Sequence, residues 1–377
     1  MLDNLKLRTF VLPNRIMVLG GYGNFGKRIS KALAAKGIDV LIVGRSFEKS
    51  ERLATEIGKS ATPLCFDVPG ELGAFLAVHR PDAIINTVGP FQHQGYETAR
   101  IAIAHGVHYV DLADGREFVC GISELDASAK KAGVAVISGA STVPALSDAV
   151  VREYRGEFSS LEQMRYGISP GQGAERGLAT TQGILSYVGK PLSPFPSIKK
   201  RVFGWQNLYR QFYPGLGNRW MANCEIPDLD LLPQRHDIKT IQFSAGLELA
   251  PLHLGLWAMS WVIRFGVPIK LQNFAGPLLK ISNWFNGFGS SDGGMHVLLS
   301  GKSASDPKTQ IERSWFIIAK DGDGPHIPTI PAILLAQRIA GGDGPPAGAY
   351  ACVGLVSLTD YVTELQDKKI EVVTQSR

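Results

Sequence analysis

Gly21-Tyr22-Gly23-Asn24-Phe25-Gly26 follows the apolar run Arg15-Ile16-Met17-Val18-Leu19 and opens a helix-like stretch from Lys27 to Lys36. That order commits the chain to a strand, a glycine turn and a helix. Gly21 permits the tight turn, Gly23 admits a close backbone approach, and Gly26 lets helix and strand pack together. The helix start offers unpaired amides and the positive end of its dipole, which suit a pyrophosphate. A glycine turn of purely structural use is the competing reading, and the flanking strand and helix favour dinucleotide binding.

The next apolar run, Asp39-Val40-Leu41-Ile42-Val43, ends in Gly44-Arg45-Ser46. NAD sites usually carry an acidic residue about 20 residues beyond the glycines, to hold the ribose 2′-hydroxyl. Arg45 stands there instead, a planar cationic donor suited to a 2′-phosphate, beside the Ser46 hydroxyl. The expected cofactor is therefore NADP(H) rather than NAD. An arginine that merely lies on the surface is the plainer alternative.

From Arg15 to Glu153 short apolar runs alternate with longer helical patterns. Predicted strands are 16–19, 40–43, 63–66, 83–86, 108–111 and 134–137, with helices at 47–57, 95–105 and 117–132 between them. Such alternation predicts an α/β fold, a Rossmann-type doubly wound parallel sheet with right-handed crossovers, over residues 14–153. Ligands sit at the carboxyl edge of such a sheet. That edge would carry the glycine turn, Arg45 and Ser46, then Asp67 and Val68 near the adenine. Asn86, Thr87, Val88, Gly89 and Pro90 would run beneath the nicotinamide ribose, followed by Asp111 to Asp114 and Ser138 to Ser141.

At 377 residues the chain suits two domains, and its 45% hydrophobic content describes a folded protein. A net charge of +5 suits an anionic small molecule, and no long basic run interleaved with aromatics points to nucleic acid. Lys199-Lys200-Arg201 reads as a solvated strand end. Cys65, Cys120, Cys224 and Cys352 are widely spaced and form no CxxC, so reduced thiols are expected and no metal site is predicted. Met1 to Pro13 lacks a signal-peptide core, and a cytoplasmic protein is expected.

Beyond residue 153 the strict alternation stops. Residues 161–168 and 240–244 read as strands, and 294–302 with 310–320 read as a hairpin turning at 303–308. This predicts a second α+β domain over 154–345, used for substrate and dimerisation, with 346–377 returning to the first domain. Leu249 to Ile263 is uncharged and carries Trp257 and Trp261; Phe274, Leu278, Leu279, Ile281, Trp284 and Phe285 follow. Pro251, His253 and the stop at Arg264 argue against a membrane span of about 20 residues. A buried core or subunit-interface helix is the first reading of 249–285. A monotopic membrane-surface hairpin, flanked by Arg264 and Lys270, is the second.

Val18 to Gly26, Gly44-Arg45-Ser46, Asn86-Thr87-Val88-Gly89-Pro90-Phe91 and His108-Tyr109-Val110-Asp111 together resemble the saccharopine dehydrogenase-like oxidoreductases. Saccharopine reductase-like proteins and trans-acting enoyl reductases are similar in this region. The resemblance covers roughly the first 150 residues. It implies an NADP(H)-binding domain and a second domain that contributes to a homodimer, and it transmits no substrate. Members commonly show Thr-Gly-Glu after the tyrosine-valine-aspartate strand, where this chain has Leu112-Ala113-Asp114-Gly115.

Hydride transfer needs an electrophile held against the nicotinamide and usually an acid to protonate the product. His93, Tyr96, Asp111 and Asp114 are the candidate acids. A loop histidine and a pair of helix-capping aspartates are the plainer readings. No tyrosine has a lysine four residues later, which excludes the YxxxK arrangement of short-chain dehydrogenases. Ser141 is not in a GxSxG elbow. Asp321-Gly322-Asp323-Gly324 reads as a turn rather than a calcium loop. Arg313 and His326 could meet an anionic substrate, although a mid-strand arginine more often pairs with a carboxylate.

The sequence thus predicts an NADP(H)-dependent oxidoreductase acting on a C=N, C=C or C=O bond of a small or lipid-like substrate. A dinucleotide-binding sensor or scaffold without turnover is the alternative, since no proton donor stands out. A membrane-surface lipid-tailoring reductase is a third reading, resting on 249–285.

Overall fold

The computed structural model describes residues 14–92, 94–194 and 201–376, so the expectations for Met1–Pro13, His93 and Lys199–Lys200 fall outside it. The first domain runs β1 (Arg15–Leu19), α1 (Asn24–Ala35), β2 (Asp39–Gly44), α2 (Phe47–Ile57), β3 (Ala61–Cys65), α3 (Leu72–His79), β4 (Ala83–Asn86), α4 (Glu97–Ala104), β5 (His108–Asp111), α5 (Arg116–Gly121), α6 (Asp126–Ala132) and β6 (Ala135–Ser138). The strands pair only in parallel, in the order β3-β2-β1-β4-β5-β6. The chain winds outward from β1 on one side and returns to its other side through β4. The predicted doubly wound sheet is present, and its switch point lies between the carboxyl ends of β1 and β4. Ile16 and Val18 face one helical layer while Met17 and Leu19 face the other. Burial on both faces makes the strand read as one continuous apolar run.

The predicted helix over 117–132 is broken in two. A short 3-10 segment, Ile122–Leu125, separates α5 from α6 and buries Ile122 and Leu125. The irregular turn lets α5 face the second domain while α6 stays on the sheet.

The second domain runs α7 (Ser147–Tyr154), β7 (Phe158–Ser169), α8 (Leu178–Ser186), β8 (Tyr209–Tyr213), β9 (Gly217–Asn223), α9 (Asp228–His236), β10 (Thr240–Ala245), α10 (Ala250–Arg264), α11 (Ala275–Trp284), β11 (Gly293–Ser303) and β12 (Gln310–Ala319). The chain then continues through α12 (Ile330–Ala340), β13 (Gly348–Ala351), α13 (Leu358–Thr363) and β14 (Ile370–Ser376). The second sheet has the order β14-β12-β11-β7-β10-β9-β8, with β7 and β10 parallel and the other pairs antiparallel. β11 and β12 form the predicted hairpin, paired from Gly293 with Ala319 to Lys302 with Gln310.

The last segments are shared between the sheets. β13 lies parallel to β6 and makes a seventh strand of the first sheet, whereas β14 edges the second sheet beside β12. The predicted break at 345 does not follow this division. α12 lies against β4, β5 and α1, because its buried face of Ile330, Ile333, Leu335 and Ile339 supplies apolar cover to the first sheet. One apolar core runs from Ile16 and Val18 through Tyr166 to Trp315 and Tyr361, so the domains meet over buried hydrocarbon.

Charge is also buried at that seam. The Ser147 hydroxyl of α7 bonds to the Asp228 carboxylate of α9. Its neighbour Asp148 accepts from Arg235 at 3.2 Å and from the Gly354 amide at 2.7 Å, with His236 Nε2 at 2.8 Å. Burial pushes Asp228 up to about 7; Asp148 adds to the shift and the Ser147 bond opposes it. A carboxyl raised above its unfolded value of about 3.9 binds more protons in the folded chain, so its contribution to stability falls as pH rises through roughly 4 to 7. Asp228→Asn should relieve that cost. Its melting temperature should gain on the wild type between pH about 5 and about 8, by a few degrees, of the order of 2–4 °C per kcal/mol. A pH-independent offset would show that Asp228 does not titrate in this window.

Candidate functional site

Backbone hydrogen bonds shape the glycine turn. Gly20 takes φ +71°, the Gly21 amide donates to Val43 at 2.9 Å, and the Gly23 amide donates to Gly20 at 2.8 Å. A Cβ on Gly26 would lie 2.1 Å from the Gly20 carbonyl oxygen, and one on Gly21 would lie 2.9 Å from that of Val18. Gly23 caps α1 with no side-chain hydrogen bond, and the first helical bond runs from Lys27 N to Gly23 O. The amides of Asn24, Phe25 and Gly26 therefore have no acceptor within the helix. A helix start without a side-chain cap, reached over bare glycine, fits a dinucleotide pyrophosphate.

At the end of β2 Arg45 is exposed. Ser46 caps α2, its hydroxyl accepting from the Lys49 amide at 3.4 Å, and its own amide donates to the Tyr22 hydroxyl at 3.2 Å. The Tyr22 ring lies so close to Gly44 that a Cβ there would be 2.1 Å from Cε1. Lys49 Nζ sits 6.0 Å from the centre of that ring. Tyr22 and Lys49 thus join Arg45 and Ser46, and sequence reasoning missed both. Lys49 had a signal, since it lies in the first turn of the helix that Ser46 caps. Asp67 is exposed beyond β3 and its amide donates to Glu71 at 2.9 Å; Val68 is half-buried beside it.

Across the switch point, Thr87 ties the end of β4 to the end of β1. Its hydroxyl donates to the Leu19 carbonyl at 2.8 Å and its amide to the same oxygen at 3.0 Å. Asn86 donates to the Tyr109 hydroxyl at 3.0 Å and accepts from the Val88 amide at 3.0 Å. These bonds fix the course of Val88, Gly89 and Pro90 beside the glycine turn.

Two of the proposed acids have structural roles. Asp111 is buried and accepts from Ala113 N at 3.0 Å, Ser138 Oγ at 2.9 Å and Gly139 N at 2.9 Å, so it braces the ends of β5 and β6. Burial pushes it up to about 6 against the pull of those donors. Tyr96 donates its hydroxyl to the Phe118 carbonyl at 2.7 Å and lays its ring against Phe118. Burial pushes that phenol up to about 12, with Glu124 and Asp111 adding. Asp111 spends one carboxylate oxygen on the strand ends, and the Tyr96 hydroxyl is spent on a backbone carbonyl.

Asp114 differs. Gln92, two residues beyond Pro90, donates to its carboxylate at 3.0 Å, and burial raises its pKa against that bond. The second domain faces this place through α8. A Cβ on Gly89 would lie 3.5 Å from Ala179, and one on Gly183 would lie 2.8 Å from the Gln92 amide nitrogen. Burial raises the pKa of the Tyr187 phenol, just beyond α8, with Cys224 adding more than Asp114 does. Gln92 and Tyr187 were not singled out from the sequence, and nothing local marks Tyr187.

The loop before α8 also reaches the cofactor edge. Glu175 receives hydrogen bonds from Lys27 at 2.9 Å and Arg28 at 3.2 Å, and its carbonyl accepts from Asn24 at 3.2 Å. Burial works against the Glu175 charge, and the two cations more than offset it, holding the carboxyl below its usual range. Arg313 pairs with Glu157, and burial holds His326 below its ordinary value, with Arg28 adding. Among the described residues no group of three or more His, Cys, Asp or Glu is placed to hold a metal, and no helix is long and apolar enough to cross a membrane.

Residues 16–137 match the family described as Saccharopine dehydrogenase NADP binding domain. The whole architecture recurs in saccharopine dehydrogenase (L-Glu forming) from Saccharomyces cerevisiae, with a TM-score of 0.66 and 14% identity over 96% of this chain and 100% of that one. It recurs in a homospermidine synthase from Legionella pneumophila, solved in complex with NAD, with a TM-score of 0.59 and 9% identity over 97% and 92% of the two chains. No curated protein matches the chain in sequence. At these identities the two solved structures share its fold.

Proposed function

We propose that this chain, whose residues 16–137 match the Saccharopine dehydrogenase NADP binding domain family, is an NADP(H)-dependent oxidoreductase of the saccharopine dehydrogenase-like type. It transfers hydride to or from a C=N, C=C or C=O bond of a small or lipid-like substrate. The observation that carries the reading is the start of α1, where glycine replaces a side-chain cap and leaves three amides open. Arg45, Ser46 and Lys49 supply donors and positive charge for a 2′-phosphate, with Tyr22 as the platform behind them.

When bound, the reduced nicotinamide supplies the hydride. The chain's own part is to grip and to protonate. Val88 to Pro90 hold the nicotinamide side, α8 closes it from the second domain, and Asp114 is the proton donor proposed at the same seam. Burial favours its neutral form, and the Gln92 amide orients the carboxyl.

Arg45→Ala tests the cofactor reading. Hydrogen bonds to charged groups are worth about 1.5–3 kcal/mol, so NADPH affinity should fall about tenfold to a hundredfold while NADH affinity stays level. Titration calorimetry with both nucleotides measures this, and an unchanged NADPH preference would remove the assignment. A second reading, a dinucleotide sensor without turnover, draws on the structural roles of Tyr96 and Asp111. It predicts tight NADPH binding with no oxidation in any metabolite pool.

A further inference from the structure

The stretch from Leu249 to Gly289 leaves the second domain and returns to the same point. Glu248 closes its neck, accepting from the Ser290 amide at 2.9 Å, the Ser290 hydroxyl at 2.8 Å and the Gln172 amide at 2.6 Å. α10 buries His253 and Ser260 against the domain. Beyond them the expected buried helix ends, and a run of large apolar side chains faces outward. Phe265 is 80% exposed, Trp284 77%, Phe288 78% and Phe274 53%, with Val267 and Ile269 between them. These side chains sit at helix ends and on the turns joining them, so no single helix face contains them. A solvated monomer rarely exposes so many large apolar groups in one excursion.

We infer that this excursion is a docking surface for an anionic phospholipid bilayer. Charge selects the partner. No Asp or Glu occurs between Glu248 and Asp292, whereas Arg264, Lys270 and Lys280 do. Among the described residues neither Lys270 nor Lys280 pairs with a carboxylate, while Arg264 stacks over Trp261 at 4.8 Å. Aromatic side chains with cations and without acids match the boundary between acyl chains and anionic headgroups. The mode is attachment rather than crossing. α10 has 15 residues and so spans about 22 Å, short of a hydrocarbon core of about 30 Å.

The surface adjoins the cofactor cleft. Gln172 donates to the Ser282 carbonyl at 2.7 Å, and Arg176 donates to the Ser282 hydroxyl at 3.0 Å. Both residues belong to the loop whose Glu175 rests on Lys27 and Arg28 of α1. α8, which faces Gly89 and Gln92, also lies against α11. Docking would set the mouth of the cleft beside the lipid. The docking itself stands without the redox reading, and its test uses no cofactor.

The full chain should float with vesicles of phosphatidylcholine mixed with phosphatidylglycerol, and bind pure phosphatidylcholine vesicles at least tenfold more weakly. Trp284→Ser with Phe288→Ser should weaken binding to both at least tenfold. Lys270→Glu with Lys280→Glu should erase the difference between them. Circular dichroism should be unchanged in both variants, since these side chains are exposed. Flotation with neither vesicle, or wild-type flotation of the Trp284 and Phe288 variant, would overturn the inference. So would a sedimentation dimer broken by that same variant when the wild type binds no lipid, because the face would then be a subunit interface.

Discussion

Gly26→Ala should abolish dinucleotide binding and destabilise the first domain. The added methyl would stand 2.1 Å from the Gly20 carbonyl oxygen and 2.8 Å from the Gly21 Cα, both backbone atoms of the turn itself. Neither can move without displacing the Gly21 bond to Val43 that joins the turn to β2. Overpacking of this kind costs about 1–3 kcal/mol where side chains can yield, and backbone yields less. Gly23→Ala is the informative partner. Its methyl would meet only the Gly20 carbonyl oxygen, at 3.0 Å, on the side from which phosphates approach. That variant should fold and melt close to the wild type yet lose NADPH affinity by at least tenfold. Calorimetric titration beside thermal unfolding separates the two effects. A Gly23→Ala protein that binds NADPH as the wild type does would show that no phosphate lies over this turn.

Legibility followed the range of the interactions involved. β4 and β5 match their predicted limits residue for residue, since each is a short apolar run bounded by a loop. The glycine turn was equally plain, because its geometry depends on residues adjacent in sequence. β8 and β9 were missed: β8 exposes Arg210, Gln211 is half-buried, and Phe212 is exposed, which blurs the period-two signal. Their turn is marked only by Gly215 and Gly217 at positive φ. The packing of α12 was not legible, because it is apolar for the first sheet but follows strands of the second in sequence. The site showed the same limit. Arg45 and Ser46 could be read from the end of a strand, whereas Glu175 reaches the cleft by domain contact. Burial also sorted the two aspartates that sequence left equivalent, sending Asp111 into the sheet and leaving Asp114 at the seam.

Asp114→Asn should lower turnover by about 10²–10⁴, the range usual for removing a positioned general acid, while leaving NADPH affinity intact. The amide keeps the shape of the carboxyl and its contact with Gln92 but has no acidic proton. The pH profile carries the sharper signature. Burial favours the neutral carboxyl, so its pKa is raised and the proton-bearing fraction declines with rising pH from a higher value than for an ordinary aspartate. In the direction of carbonyl, imine or alkene reduction the wild-type rate should therefore fall on the alkaline side of that raised value. The Asn variant should show a lower rate without that limb. Tyr96→Phe supplies the contrast: its hydroxyl serves the Phe118 carbonyl, so it should change thermal stability more than turnover. Asp111→Asn should likewise act on stability, because it disturbs a carboxylate that receives two backbone amides and the Ser138 hydroxyl. An Asp114→Asn protein with wild-type turnover and an unchanged alkaline limb would move the proton source elsewhere in the cleft. If instead the wild type itself binds NADPH tightly and oxidises it against no carbonyl, imine or alkene, the acid at this seam has no reaction to serve, and the chain acts as a sensor of its nucleotide.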